Sequence, residues 1–289
     1  MKSLRQFLAA CVVGLTALLT SAPSTAQAQG VAQYPLSIAI ADSTIMLADR
    51  DLPGVWKLKD GELTAYFTGS KKFRTPLNAV RCVEFDSDGK LLAGDSSTRE
   101  VYRFDDEGQP IPLTDGGIGI AMDIAVNKAG DLFVSDLEIQ RIMKVPKAGG
   151  KPEEVTEISG CRGLFVDKED HLWVVSTTSN QLYRISPDGK SETIVEGRAF
   201  EFPHTVVVDE NLTAYVCDGY AKTIWKIARG GKPEAWVKGE PLVNPVGMAI
   251  QGDTIYVVDP RAVAVFEIDQ EGKLKTIPLK PAGPEKAAP

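Results

Sequence analysis

Two arginines and a histidine stand at equivalent places in the chain, each two residues before the middle of a short apolar run. They are Arg81, Arg162 and His204. A guanidinium group presents paired donors that match a carboxylate or a phosphate, and a histidine can be neutral or charged near neutral pH. Three such groups brought together would repel each other unless an anion or a carboxylate compensates. Asp123, in the corresponding part of another run, is the expected internal partner.

A second group of basic residues follows a repeated aspartate at the end of other apolar segments. The basic residues are Arg50, Arg99, Arg141, Lys222 and Arg261. The aspartates are Asp49, Asp95, Asp136, Asp218 and Asp259. A short carboxylate can accept backbone N–H groups in a tight turn, or it can pair with a nearby base. Bases without such a partner would instead attract an anion, and the sequence leaves these alternatives open.

No catalytic set and no metal site emerge from the sequence. His204 could act as a base, but no Ser or Cys partner is evident, and no catalytic residue is assigned. His171 lies on a turn and is the only other histidine, which excludes a three-histidine zinc site. We expect Cys82, Cys161 and Cys217 to be buried apolar residues, since no CxxC or CxH spacing accompanies them. The prediction is no metal and no cofactor.

The elements that position these residues repeat six times. Asp49, Asp95, Asp136, Ser176, Asp218 and Asp259 each end an apolar segment, at intervals of 40 to 46 residues. Seven residues after each lies a large apolar or aromatic side chain: Trp56, Tyr102, Met143, Tyr183, Trp225 and Phe266. Two landmarks that keep one period indicate a repeat architecture. We expect the aromatic landmarks, including Tyr183 and Trp225, to be mostly buried.

Each repeat contains four short strands separated by turns. The clearest repeat has apolar runs at 124–126, 132–134 and 142–145 and a fourth strand at 154–158. Four antiparallel strands in about 40 residues make one propeller blade. The prediction is therefore an all-β, six-bladed β-propeller of four-stranded antiparallel blades, over residues 34–280.

In such a propeller, the residues just before each inner strand line the central opening. Alignment on the apolar centres Ile38, Val83, Ile124, Leu164, Val206 and Met248 places six residues there: Leu36, Arg81, Met122, Arg162, His204 and Val246. We therefore predict a ligand-binding central channel containing Arg81, Met122, Asp123, Arg162 and His204. The loops that join strands two and three reach the same face and carry Arg50, Arg99, Arg141, Lys222 and Arg261.

The two ends of the chain are predicted to lie outside the propeller. Residues 1–28 have a charged start, an apolar stretch and an Ala26–Ala28 cleavage site, which is the pattern of a secretory signal peptide. The protein is accordingly expected to be secreted or periplasmic. Lipidation at Cys11 is not expected, because the apolar run continues past it. Residues 29–33 form a lead-in, and residues 281–289 form a flexible tail.

Charge and hydropathy narrow the range of partners. The chain has 32 Lys and Arg against 39 Asp and Glu, a net charge of −7. This balance does not favour nucleic-acid binding, which needs a basic face. The N-terminal apolar run is too short for a membrane span. We expect a monomer that binds a small anionic ligand or a protein partner.

The repeat resembles a known family. The segments Asp123–Asn127, Leu132–Asp136 and Arg141–Val145, with Gly130 between the first two, are similar to the NHL repeat. The chain also looks like the wider gluconolactonase or senescence-marker-protein group of six-bladed propellers. In those lactonases a Glu, two Asn and an Asp hold a divalent metal at the channel. Here the corresponding positions hold Leu36, Met122 and His204, which do not supply the oxygen ligands that such a metal prefers.

Two functions from different classes fit the sequence. One is a secreted propeller that binds a ligand or a protein through its central-channel face. The alternative is a gluconolactonase-like hydrolase with an altered site that lacks the family's metal ligands. The missing ligands favour the binding protein, although propellers host many unrelated functions.

Overall fold

The computed structural model describes residues 31–52 and 54–279 and shows six four-stranded antiparallel sheets. Within these residues there are 24 strands and no helix, so none that could cross a membrane occurs in this part of the chain. The predicted six-bladed β-propeller is confirmed. The predicted signal peptide, Cys11, residues 29–30 and the tail at 281–289 lie outside the described residues.

The four strands of each blade follow one another in the chain and pair only with their sequence neighbours. The inner strands are β1 (Pro35–Ala41), β5 (Val80–Phe85), β9 (Ala121–Val126), β13 (Cys161–Val166), β17 (Pro203–Val208) and β21 (Gly247–Gln251). The second strands are β2 (Thr44–Asp49), β6 (Leu91–Asp95), β10 (Leu132–Asp136), β14 (Leu172–Ser176), β18 (Ala214–Asp218) and β22 (Thr254–Asp259). The third strands are β3 (Gly54–Lys59), β7 (Glu100–Phe104), β11 (Arg141–Val145), β15 (Leu182–Ile185), β19 (Thr223–Ile227) and β23 (Ala264–Ile268). The outer strands are β4 (Glu62–Thr68), β8 (Pro110–Pro112), β12 (Glu153–Glu157), β16 (Ser191–Val195), β20 (Glu234–Lys238) and β24 (Leu274–Pro278).

Strand register is the same at the centre of all six blades. In the third blade, Ile124 of β9 pairs with Val134 of β10, which pairs with Met143 of β11. The equivalent three residues are paired in the other five blades. A shift of one residue would turn every apolar side chain to the other face. This shared register confirms the alignment that defines the ring of residues around the channel.

The hydrophobic core consists of six clusters, one between each pair of neighbouring blades. One cluster joins the first and last blades: Ile38 and Leu47 pack with Val258 and Val265. The ring is closed there by side-chain packing, because β1–β4 and β21–β24 form separate sheets. Burial of these apolar surfaces is the main contribution that holds the blades together.

The repeated aspartates are fully buried, and they accept backbone N–H groups from the loop before the inner strand of the same blade. Asp218, for example, accepts from Glu201 and Phe202 through different oxygens, 2.7 and 2.9 Å away. Asp49, Asp95 and Asp136 make the equivalent bonds, and Asp259 accepts both N–H groups through Oδ2. These bonds show that the aspartates act as turn caps. Pairing of the loop arginines with them does not occur among the described residues.

The seven-residue spacing between the two landmarks has a physical cause in two blades. The indole Nε1–H of Trp56 donates to Asp49 Oδ2 at 2.8 Å, and that of Trp225 donates to Asp218 at 3.3 Å. Trp56 is 3 % exposed. Trp225, like Tyr183, is only partly buried, so the expectation that these two are mostly buried is too strong. The three predicted structural cysteines are free and buried.

Candidate functional site

β-bulges at the start of the inner strands place the predicted ring residues. In the first five blades the pairing of the inner strand with the second strand shifts at this point. Arg81 is skipped between Val80 and Cys82, and the shift in the fourth blade includes Arg162. A bulge bends the strand and redirects the unpaired side chain, and bulges are common beside functional sites.

The central channel contains a cavity of about 250 Å³ that these residues line. All five predicted channel residues contribute to it: Arg81, Met122, Asp123, Arg162 and His204. Leu36 and Val246 complete the ring, and Ile40, Phe165 and Ile250 also line the cavity. Apolar side chains thus form part of the cavity wall, and its charged and polar side chains come from the first five blades. That combination is typical of small-molecule sites.

Arg162 is the most unusual cation in the cavity. Its guanidinium carbon lies 4.6 Å from the centroid of the Phe202 ring, and its buried Nε has no hydrogen-bond partner. Burial lowers the pKa of Arg162, and the nearby charge of Arg81 lowers it further. A buried donor without a partner costs free energy, so a ligand that accepted from it would be favoured.

Arg81 is also without a carboxylate partner. Its Nε donates to Ser96 Oγ at 3.2 Å. In the described part of the chain, neither Arg81 nor Arg162 belongs to an ion pair. The expected compensation by Asp123 is absent, because its two oxygens accept instead from backbone N–H groups, those of Ile124 and Leu164.

Asp123 connects two blades, and its carboxyl group is held in the channel wall. The N–H of Leu164 in the next blade donates to it at 2.9 Å. Burial raises the pKa of Asp123 to about 7 despite the two N–H groups, which lower it. Thr205 makes an equivalent link by donating to the Val246 carbonyl at 2.8 Å.

Glu84 is a second carboxyl group in the cavity, and the sequence prediction missed it. Its Oε1 accepts from the N–H of Phe85 at 2.7 Å. Burial raises the pKa of Glu84 to about 8, and the charge of Asp123 adds a smaller effect in the same direction. The signal was present in the sequence. The equivalent positions of the other blades hold only apolar residues: Ala39, Ala125, Phe165, Val207 and Ala249.

His204 is neutral in this setting. Its buried Nε2 has no hydrogen-bond partner. Burial lowers the pKa of His204 to about 4, and the charge of Arg162 adds to that effect. An added Cβ on Gly219 would lie 3.0 Å from Nε2, so the ring packs closely against the backbone of Gly219. The predicted third cation is therefore an uncharged donor or acceptor.

An aromatic pair next to the cavity residues Arg162 and His204 was also missed. The ring of Tyr220 stacks on Phe202 with 4.9 Å between centroids and 21° between planes. Phe202 also contacts His204 edge to face, at 5.1 Å. Tyr220 is 64 % exposed, while Phe202 is partly buried. No sequence periodicity distinguishes Tyr220, since it belongs to the loop between β18 and β19.

The loop cations do not form one surface with the channel. Only Arg50 lines the cavity; it pairs with Asp51 and lies 4.1 Å over the Tyr34 ring. Arg99 pairs with Glu138 at 2.6 Å. Arg141 pairs with two glutamates of β12, Glu154 and Glu157. Lys222 and Arg261 are exposed. Arg81 and Arg162 therefore form a group separate from the cations of these loops.

The site offers more for binding than for covalent chemistry. Ser37 and Thr205 are the hydroxyl groups in its lining, and both bond to the backbone of the next blade. Burial raises the pKa values of Cys82, Cys161 and Cys217, which keeps the thiols protonated. Within residues 31–52 and 54–279, no group of three or more His, Cys, Asp or Glu side chains could hold a metal ion.

Solved structures with the same architecture come from proteins with different activities. A virginiamycin B lyase from Staphylococcus aureus is 16 % identical over 85 % of this chain and 84 % of that one, with a TM-score of 0.65. A gluconolactonase from Xanthomonas campestris is 14 % identical over 80 % and 84 %, with a TM-score of 0.67. A chain of a nidogen–laminin complex is 17 % identical over 84 % and 91 %, also with a TM-score of 0.67.

This chain has the fold of those propellers. At identities this low the likeness extends to the fold alone. No protein-family model and no curated protein matches the sequence. The function must therefore be argued from the channel itself.

Proposed function

We propose that the protein is a secreted or periplasmic binding propeller that takes a small carboxylate or phosphate between Arg81 and Arg162. One observation carries this proposal: two arginines share a cavity, and neither has a carboxylate partner within the part of the chain that the structure describes. An anion placed between them would accept charge-assisted hydrogen bonds and relieve their mutual repulsion.

The surroundings support a bound anion more than a bound cation. His204 is neutral at neutral pH, and the raised pKa values of Asp123 and Glu84 keep much of their negative charge away from the cavity. The low-dielectric wall strengthens the interaction of an anion with the arginines.

Calorimetric titration tests this function with benzoate and inorganic phosphate as probes. The wild-type chain is expected to bind one or both at low salt. Replacement of both arginines, Arg81→Met with Arg162→Met, should abolish the binding without loss of the fold. Arg261→Met is the matched control, because that exposed arginine lies outside the cavity. The proposal fails if wild type binds neither probe or if the double variant binds as well as wild type.

An enzyme is the second candidate, and Glu84 is the observation that favours it. A carboxyl group with a pKa near neutrality in a cavity can exchange a proton with a ligand. In this reading Glu84 would act as an acid–base group beside the bound anion. A screen of lactone and ester hydrolysis, with Glu84→Gln as the inactive comparison and metal analysis of the purified protein, separates the two functions. Turnover that survives Glu84→Gln would remove Glu84 from the role.

A further inference from the structure

Tyr220 stacks on Phe202 although most of its side chain is exposed to solvent. A tyrosine with 64 % of its surface exposed is usually free to move in solvent, but Tyr220 lies nearly parallel to Phe202, at 21° and 4.9 Å. The backbone N–H of Phe202 is held by Asp218 at 2.9 Å, which fixes the base of the pair. The pair therefore presents an exposed aromatic surface next to Arg162.

This surface adjoins the anion site. Phe202 contacts both the ring of Tyr220 and, at 4.6 Å, the guanidinium group of Arg162. The Phe202 ring thus contacts both Arg162, which would bind the anion, and the exposed ring of Tyr220. A ligand anchored at Arg162 would extend along this face as it leaves the channel.

We infer that the site selects anions that carry a planar ring, with the carboxylate or phosphate at Arg162 and Arg81 and the ring stacked on Tyr220. The inference rests on the proposed function, since the anion must be held first. Offset stacking of two aromatic rings adds an attraction beyond the burial of area. Aromatic carboxylates and aryl phosphates are therefore the class of ligand that fits, in preference to aliphatic acids of equal size.

The test compares benzoate with cyclohexanecarboxylate, two carboxylates of similar size of which only one is planar. Wild type should bind benzoate about three- to tenfold more tightly, the range expected from one stacked pair. Tyr220→Ala should remove this preference and leave the affinity for cyclohexanecarboxylate nearly unchanged. Tyr220→Phe should retain it, because the ring remains. Tyr220 is exposed, so neither variant should disturb folding.

Proton NMR provides a second readout that simple packing would not produce. On binding, the ring protons of benzoate should shift upfield from the ring current of Tyr220, and this shift should disappear in Tyr220→Ala. Equal affinity of wild type for the two carboxylates, unchanged by Tyr220→Ala, overturns the aromatic preference while the anion site stands. If wild type binds neither carboxylate, both the anion site and the preference are overturned.

Discussion

Arg162 contacts the face of Phe202, with 4.6 Å from its guanidinium carbon to the ring centroid, and forms no ion pair with any described residue. An arginine buried in a propeller channel would ordinarily be expected to pair with a carboxylate. Here two carboxyl groups share the cavity, yet Asp123 is held by backbone N–H groups, and burial favours the protonated form of Glu84. Neither carboxyl group therefore pairs with Arg162, and its positive charge can attract an anionic ligand.

The planar guanidinium group of Arg162 predicts that a lysine at this position binds anions more weakly. Arg162→Lys keeps the charge but loses the paired donors and the planar contact with Phe202. Benzoate affinity should fall about ten- to a hundredfold, the equivalent of roughly one charge-assisted hydrogen bond. Calorimetry at about 10 mM and about 150 mM salt should show the same salt dependence as wild type, because the net charge is unchanged. A lysine variant with wild-type affinity would show that charge alone is recognised.

Anion affinity should increase as the pH is lowered from about 8.5 to about 6.5. Glu84 and Asp123, with pKa values raised to about 8 and about 7, gain protons across this range, and the cavity becomes more positive. His204 does not contribute, since its pKa is about 4. Benzoate stays ionised throughout. Titrations at the two pH values should differ severalfold in wild type, and Glu84→Gln should reduce the difference. An affinity that rises with pH would contradict this electrostatic picture.

The fold could be predicted from the sequence because a pattern that repeats six times is compatible with few folds. Six copies of two landmarks define the register, and the structure shows why: Asp49 bonds to both the preceding loop and the indole of Trp56 seven residues later. Positions around the channel followed from the same alignment. The propeller geometry brings them to one cavity, because each inner strand starts at the same face.

The partners of the site residues could not be predicted in the same way. Asp123 lies next to a ring position, but its carboxyl group accepts the N–H of Leu164 in the next blade. Periodicity does not report such contacts between blades. The stack of Tyr220 on Phe202 depends on a loop conformation, and the low pKa of His204 depends on burial, neither of which has a sequence pattern.

Trp56 should be the most costly aromatic landmark to replace. Trp56→Ala removes a side chain that is 3 % exposed together with the bond to Asp49, and should lower the free energy of unfolding by about 3–5 kcal/mol. Trp56→Phe keeps most of the volume and should cost less, about 1–2 kcal/mol, because Asp49 retains its backbone donors. Trp225→Ala is the matched comparison at the equivalent, half-buried position and should cost less than Trp56→Ala. Urea unfolding measures all three, and a greater loss at Trp225 would contradict the assignment.

Stability should decrease as the pH rises from about 7 to about 9, and Glu84 should be a main cause. The folded-state pKa of Glu84 is raised to about 8 from an ordinary value of 4.5. Between these values the folded chain binds a proton that the unfolded chain has lost, so its stabilising effect declines as pH rises through the folded pKa. The expected loss is on the order of 1 kcal/mol over this range.

Glu84→Gln isolates this contribution, because the amide cannot ionise and keeps the shape and the acceptor that Phe85 uses. The variant should lose less stability than wild type between the two pH values in urea unfolding experiments. The window lies above the pKa of His204 in both states, so its protonation does not interfere. Glu138→Gln is the control, since this exposed carboxylate pairs with Arg99 outside the cavity. An equal decline in wild type and Glu84→Gln would mean that Glu84 is ionised and solvated in the folded protein.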